Sequence, residues 1–448
     1  MINLKKYNQP VPRYTSYPTV PLWDTAAFTT AGLEQAIQTA FWESNREVSL
    51  YIHLPFCESL CTYCACNTRI TKNHKVEDPY IAHVLKEWQL YLAILPERPI
   101  IREIHLGGGT PTFFTPENLS RLIHGITAQV DVSSHVQMSF EGHPANTTEA
   151  HLRTLYALGF DRVSFGIQDF DETVQRLIHR MQSFEQVKFI TEKAREIGYT
   201  SVNYDVVYGL PGQHLCSLTK TLDLVNQLSP DRIAFYSYAH VPTMRPAQRA
   251  YEASLPTEDE KYTFMQLGKE KLLAFGYEEV GMDHFVKPND ELMVAQRTSQ
   301  LHRNFMGYTP YCGKVLIGLG ASAIGDCYTA FAQNEHKVEN YYARVDAGEF
   351  PFVKGHLLTR EDLFFRKQIL NLMCTFRTTW LADDFYDFGK YINVSLLDQL
   401  HVEGFIVWDE LAGVRVLPAR RQLIRIICTA FDARLIRVGR QPQFSQSI

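Results

Sequence analysis

The sequence predicts an α/β protein: a full or partial parallel βα barrel with an irregular N-terminal arm and a small, mostly helical C-terminal domain with a β wing. Three observations predict it. Between about residues 48 and 240, six β-rich runs alternate with stretches of helical period, the pattern of a parallel sheet with crossover helices. The runs are nearly continuous in apolar residues, as strands covered on both faces are. Six such units in series suit a barrel, whose functional residues stand at the C-terminal strand ends. A doubly wound open sheet would show the same pattern and stays as the alternative.

Taken in order, residues 1–47 read as an arm with one helix, AGLEQAIQTAF, that covers the active site. The strands are SLYIHLP (49–55), REIHLGG (102–108), VQMSFEG (136–142), RVSFGIQ (162–168), VNYDVVYG (202–209) and RIAFYSYA (232–239). Helical stretches such as DPYIAHVLKEWQLYLAIL, ENLSRLIHGI and FEQVKFITEKAREIGY separate them. Residues 241–350 add the helix EDEKYTFMQLGKEKLLAFG and one more strand-like run, VLIGLGASAIG. Beyond 355 follow LTREDLFFRKQILNLMCTF, short strands around GFIVWDE and GVRVLP, and the helical RRQLIRIICTAFDARL. The expected units are therefore 1–47, 48–350 and 355–448.

Composition narrows the function classes. With 45% hydrophobic, 12% aromatic and 21% charged residues, the chain is too apolar for disorder and too polar for a membrane protein. No stretch approaches 18 consecutive apolar residues, and the first residues lack the apolar segment of a secretory signal. A formal net charge of −5 gives no broad basic surface, so nucleic acid is not an expected partner. A cytoplasmic protein without membrane insertion is the expectation. Nine cysteines, an odd number, argue against a disulfide framework.

Four of those cysteines carry the strongest chemical signal. Cys57, Cys61, Cys64 and Cys66 follow the first strand in YIHLPFCESLCTYCACN. Thiolates bind zinc or iron–sulfur clusters, and structural zinc usually shows two separated C-x-x-C pairs, of which the second is missing here. Three ligands would leave one iron of a four-iron cluster open for a substrate or cofactor. Gly107-Gly108-Gly109-Thr110 closes the second strand, and glycines there let a ligand approach exposed backbone groups. Glu141, Gln168 and Asp205 stand at later strand ends, with Arg180 on the helix after Gln168. Alone, each is an ordinary surface or capping residue; together at successive βα junctions they favour a ligand site.

The C-x-x-x-C-x-x-C spacing on a βα loop resembles the radical S-adenosylmethionine (SAM) superfamily. PRYTSYPT (12–19), the fourth cysteine, GGGTPT, FGIQDF, DVVYGLPGQ, YAHVPT, GMDHF and LHRNF narrow it further. Over nearly the whole chain they resemble the oxygen-independent coproporphyrinogen III dehydrogenase (oxidase) family of haem biosynthesis. The resemblance implies a [4Fe-4S] cluster on Cys57, Cys61 and Cys64, with Cys66 a nearby non-ligand of catalytic interest. It implies two SAM per product, contacted by Tyr51, Tyr63, Gly108, Gly109, Thr110, Glu141, Gln168, Arg180, Asp205, Ala239 and Ile324. It also implies coproporphyrinogen III as substrate, two propionates becoming vinyls of protoporphyrinogen IX, and an electron donor such as flavodoxin or ferredoxin. A monomer is expected. Four substrate carboxylates call for cations, for which Arg13, His302 and Arg303 are the candidates. The arm 1–19 is expected to fold over the strand ends and to seal or sense the substrate. Tyr63, Ala65 and Met306 stand where relatives usually carry Phe, Gly and Gln, and Met306 cannot donate a hydrogen bond. A haem-binding chaperone, a haem-degrading relative and a ferredoxin-like carrier with Cys66 as fourth ligand remain the alternatives.

Overall fold

The computed structural model describes residues 4–438 and 444–446, and the statements below concern those residues. Six parallel strands, β1 (Glu47–Leu54), β2 (Ile100–Gly108), β3 (Asp131–Gly142), β4 (Arg162–Gln168), β5 (Ser201–Tyr208) and β6 (Arg232–Ser237), lie side by side in chain order. Their helix-facing residues Leu50, Ile52, Leu106, Phe140, Phe165 and Tyr204 are buried, while alternate residues such as His105, Glu141, Ser164 and Asp205 face the interior. A doubly wound sheet would reverse its strand order near β1. No reversal occurs, so the winding is that of a barrel.

The barrel is partial. Beyond β6 the sheet continues as an antiparallel hairpin, β7 (Glu278–Gly281) and β8 (His284–Val286). On the other side β9 (Leu316–Leu319) runs parallel to β1, followed by antiparallel β10 (Ile324–Asp326), β11 (Ala330–Asn334) and β12 (Phe352–Leu357). Strands β7 and β12 form the two edges of this 12-stranded sheet and do not pair with each other. The run VLIGLGASAIG is thus two strands and a tight turn, not one strand. Gly320 and Ser322 turn the chain with positive φ (93° and 65°), and a Cβ on Gly318 would stand 2.6 Å from the Ile324 backbone.

The six strands are followed by the helices Glu77–Ile94, Pro116–Thr127, Glu149–Ala157, Phe184–Ile197, Leu215–Leu228 and Glu258–Ala274. After β4 a short helix, Glu172–Leu177, comes first, and Arg180 lies in the loop behind it, not on a helix as expected. Their starts are written locally. Thr148, Ser183 and Thr257 form reciprocal capping boxes, and Pro116 occupies the first helical position after Thr115. None of the helices is long and apolar enough to cross a membrane.

Two large hydrophobic cores result, beside a smaller cluster of Val174, Ile178, Val207, Leu210, Tyr238 and Tyr251. The first joins the sheet, its six helices and the N-terminal helix Thr30–Glu43 through Leu33, Ile37 and Phe41. The second joins Arg360–Thr375, the wing strands (Arg377–Thr378, Ile406–Asp409, Gly413–Val416) and the segments Ile424–Thr429 and Ala433–Val438. Tyr7, Val11, Tyr14 and Tyr17 of the arm also sink into this second core. The Tyr14 hydroxyl donates to Asp432 (3.1 Å), and Arg425 donates to Pro12 O (3.1 Å) and Val11 O. The stretch 1–47 is therefore divided between the cores, its PRYTSYPT segment clamped by the C-terminal elements.

Candidate active site

The cysteine loop leaves β1 at the strand end, where Leu54 stands in register with Gly108 of β2. Two glycines are required for that junction to close. Gly108 has φ 112°, and a Cβ there would lie 2.6 Å from the His53 ring; on Gly109 it would lie 2.6 Å from the Pro55 backbone. The Gly109 and Thr110 N–H groups instead donate to Leu54 O (2.8 Å) and Phe56 O (3.0 Å). Downstream, Thr71 N–H donates to Cys57 O (2.9 Å), and Thr62 N–H donates to Ile178 O (3.1 Å). Arg245 closes the loop's far end by donating to Cys66 O (2.9 Å) and Ala65 O. It lies well over a hundred residues downstream and had no sequence signal.

A cavity of about 390 Å³ opens on this loop. Cys57, Cys61, Cys64, Cys66, Tyr63, Gly108, Gly109, Thr110, Glu141, Gln168, Arg180, Asp205 and Ala239 line it, and so does Arg13 from the arm. All four thiols are free. Cys57 Sγ lies 3.3 Å from Thr110 Oγ1, and burial pushes its thiol up to about 11. Cys64 is lowered to about 6, first by the Cys66 thiol it meets, then helped by Arg245 and Arg180; Cys66 is raised in turn. The Arg180 guanidinium reaches Cys61 Sγ at 3.6 Å and grips Gly166 O with two N–H groups (2.6 and 3.2 Å).

The strand ends supply the polar wall. Gln168 adopts φ 64°, is buried, and its Oε1 finds no partner. Glu141 accepts from Gly108 N–H (3.3 Å) and lies 3.6 Å from His105 Nε2. Burial opposes its charge, yet these two groups outweigh burial and hold the carboxyl below its usual value. Asp205 accepts from Asn203 Nδ2 (3.0 Å) and Ser164 Oγ (3.4 Å); burial first, then the Glu141 charge, raise it to about 6. His143 and Tyr236 line the same wall, although the sequence singled out neither. Burial and then Arg180 drive His143 down to about 3, so it is neutral.

Four of the expected site residues do not line this cavity. Tyr51 backs Gly107, its hydroxyl on His53 Nδ1 (3.0 Å) and its ring stacked on His105. Ile324 opens β10, its backbone against Gly318. His302 and Arg303 sit in a hairpin (His302–Asn304, Gly307–Thr309), with Arg303 buried over the Tyr308 ring at 4.6 Å. His302 Nδ1 lies 3.6 Å from Cys312 Sγ, and burial lowers the imidazole to about 4. Met306 of that hairpin lines a second cavity of about 320 Å³, which shares Glu141, Ser164, Asp205 and Tyr236 with the first.

A cysteine loop after the first strand of a partial βα barrel, opening on a glycine-rich strand end, defines a radical SAM enzyme, and residues 51–225 match the Radical SAM superfamily model. The chain is 39% identical to the oxygen-independent coproporphyrinogen III oxidase of Escherichia coli, over 99% of this chain and 97% of that one. It is 36% identical to the enzyme of that name from Synechocystis, with the same coverage. The solved structure of E. coli coproporphyrinogen III oxidase, described as a radical SAM enzyme, matches with TM-score 0.87 and 36% identity, covering 95% of this chain and 99% of that one. The chain belongs to the oxygen-independent coproporphyrinogen III oxidase family. It is an oxidoreductase of the radical SAM class, whose cofactors are a [4Fe-4S] cluster and SAM.

The residues present fit those cofactors. No three His, Cys, Asp or Glu side chains among the described residues converge on a single point, as one metal ion would require. A cluster asks for less, because each thiolate takes a different iron. Three free thiols on one loop meet that need. The unpartnered Gln168 Oε1 and the glycine cradle at Gly108 and Gly109 suit a polar ligand beside it.

Proposed function

We propose that this chain oxidatively decarboxylates two propionates of coproporphyrinogen III to vinyls, giving protoporphyrinogen IX and consuming two SAM per product. The observation that carries the proposal is the single cavity joining the cysteine loop, the glycine cradle, both carboxylates, Arg180 and Arg13. Cys57, Cys61 and Cys64 would hold the cluster, leaving one iron for SAM. When bound, cluster and SAM supply a carbon radical, which a propionate β-carbon requires because no side-chain base removes its proton at neutral pH.

The chain's own residues bind and orient. Arg180 presents a planar fork to a carboxylate, held in place by Gly166 O. Glu141 and Asp205 accept from ribose hydroxyls or an ammonium, and Gln168 Oε1 offers a further acceptor. Tyr63 and Tyr236 give flat apolar faces for adenine. Neutral His143 adds no cation to compete with Arg180 for an anion. Tyr51 acts from behind, through the wall it forms under Gly107 and Glu141. Arg13, paired with Asp283 only at 3.4 Å, meets a substrate carboxylate. The unit 48–350 carries the chemistry, while the arm and 355–448 close over it. Reducing equivalents come from a carrier such as flavodoxin or ferredoxin.

Spectroscopy of the reconstituted protein tests the assignment. Serine at Cys57, Cys61 or Cys64 should abolish the four-iron absorption, whereas serine at Cys66 should leave it, and SAM should perturb the reduced EPR spectrum. Iron loss in the Cys66 variant, or a spectrum indifferent to SAM, would contradict the open-iron reading.

A further inference from the structure

Four segments singled out in the sequence meet on one side of the cavity, at the ends of β5 and β6. PRYTSYPT contributes Arg13, GMDHF Asp283, DVVYGLPGQ Gly209 and YAHVPT Tyr238. Arg13 lines the cavity, lies 5.9 Å from the centre of the Tyr236 ring and reaches Asp283 at 3.4 Å. Among them stands a residue without a sequence signal, Lys261 of the helix Glu258–Ala274. Its methylene stem lies over Gly209, where φ is 82° and a Cβ would stand 3.0–3.2 Å from it. Its Nζ donates to Tyr238 O (2.9 Å), and Tyr238 lines the cavity. Thr257 caps the helix, so Lys261 sits near the positive end of the helix dipole, a place that disfavours a cation. Burial and then the Arg13 charge lower its ammonium to about 8, against the pull of exposed Glu258 on the same helix; Arg425 adds to the lowering. Burial raises the Tyr208 and Tyr238 hydroxyls, so neither supplies an anion. Among the described residues Lys261 joins no ion pair, and Asp283 is the one carboxylate that pairs with Arg13, Lys261 or Arg425.

Three cations gathered around one carboxylate favour a further anion between them. We infer that Lys261 and Arg13 form a carboxylate subsite, which holds a propionate of the substrate other than the one being decarboxylated. The reacting propionate must approach the cysteine loop and the glycine cradle, whereas Arg13 and Lys261 stand over β5 and β6. Lys261 has N–H groups to spare beyond the one given to Tyr238 O. Arg425 is a positioning residue here: its donors are spent on the carbonyls of Val11, Pro12, Ser445 and Gln446, which fixes the chain just before Arg13. The inference rests on the tetracarboxylate substrate proposed above.

The test reads binding without turnover. Coproporphyrin III, the stable oxidised tetracarboxylate, is titrated by fluorescence into the cluster-loaded full chain, and SAM affinity is measured in parallel by calorimetry. Lys261→Met should weaken coproporphyrin binding about tenfold or more, as a charge-assisted bond is lost, with SAM affinity and iron content unchanged. Lys261→Arg keeps the charge and should keep most of the affinity. In the parent, coproporphyrin affinity should fall as pH rises above about 8, where Lys261 loses its proton. In Lys261→Arg it should stay level to about pH 10, since a guanidinium remains charged. This pH comparison decides the matter by itself if Lys261→Met does not fold. Equal coproporphyrin affinity in parent and Lys261→Met, or the same fall above pH 8 in Lys261→Arg, would overturn the inference. So would a matching loss of SAM affinity in Lys261→Met, which would make Lys261 a support of the β6 end. A parent that binds coproporphyrin but leaves coproporphyrinogen III unconverted would sink the proposed reaction while the Lys261 comparison still stands.

Discussion

Asp205→Asn should separate stability from cofactor binding. Burial, then the Glu141 charge, raise the Asp205 carboxyl from 3.8 to about 6. A folded-state value above the unfolded one means that ionisation opposes folding. Stability is therefore lost as pH rises from about 4 to about 6, and stays lost above that. A shift of roughly two units corresponds to about 3 kcal/mol, an upper figure because water in the open cavity screens the charge. Asparagine keeps an oxygen for Asn203 Nδ2 and Ser164 Oγ while removing the charge. In denaturant titrations of the cluster-free chain, the variant should be about 1–3 kcal/mol more stable near pH 8 and indistinguishable near pH 4. SAM affinity of the loaded protein should move the other way, down about 10–100-fold, as a charge-assisted bond worth roughly 1.5–3 kcal/mol is lost. A variant no more stable than the parent near pH 8 would refute the electrostatic argument. Unchanged SAM affinity would remove Asp205 from the site.

Arg180→Lys keeps the charge but loses the fork that grips Gly166 O, so calorimetry should show SAM affinity down about tenfold or more, with iron content unchanged. Iron loss would make Arg180 a support of the loop instead. Gly109→Ala places a methyl 2.6 Å from the Pro55 backbone and should cost about 1–3 kcal/mol in chemical denaturation, with poorer iron incorporation; wild-type stability would show that the junction relaxes freely. Arg13→Ala should raise the coproporphyrinogen KM about tenfold while sparing SAM binding, and an unchanged KM would exclude it from the substrate. Deleting the whole arm is the poorer experiment, because Tyr14 and Tyr17 are part of the second core.

The six parallel strands and their helices were legible because buried parallel strands and amphipathic helices each write a distinct period into the sequence. The antiparallel extensions β7–β8 and β10–β12 were not, being short and set by turns such as Gly320–Ser322. The cysteine loop and Gly108–Gly109 were legible from spacing and residue type. Arg245, His143 and Tyr236 were not, because their part in the site arises only when distant segments meet at the cavity. Arg303, a candidate substrate cation, is buried against the Tyr308 ring, a placement that no sequence pattern announces.

One anaerobic measurement addresses the proposed reaction. Reconstituted protein, SAM, a reductant and coproporphyrinogen III are combined, and porphyrinogens and 5′-deoxyadenosine are quantified together by mass spectrometry. Protoporphyrinogen IX is expected, with two 5′-deoxyadenosine per product and loss of both in the Cys61→Ser variant. Formation of 5′-deoxyadenosine with coproporphyrinogen III left unconverted would contradict it.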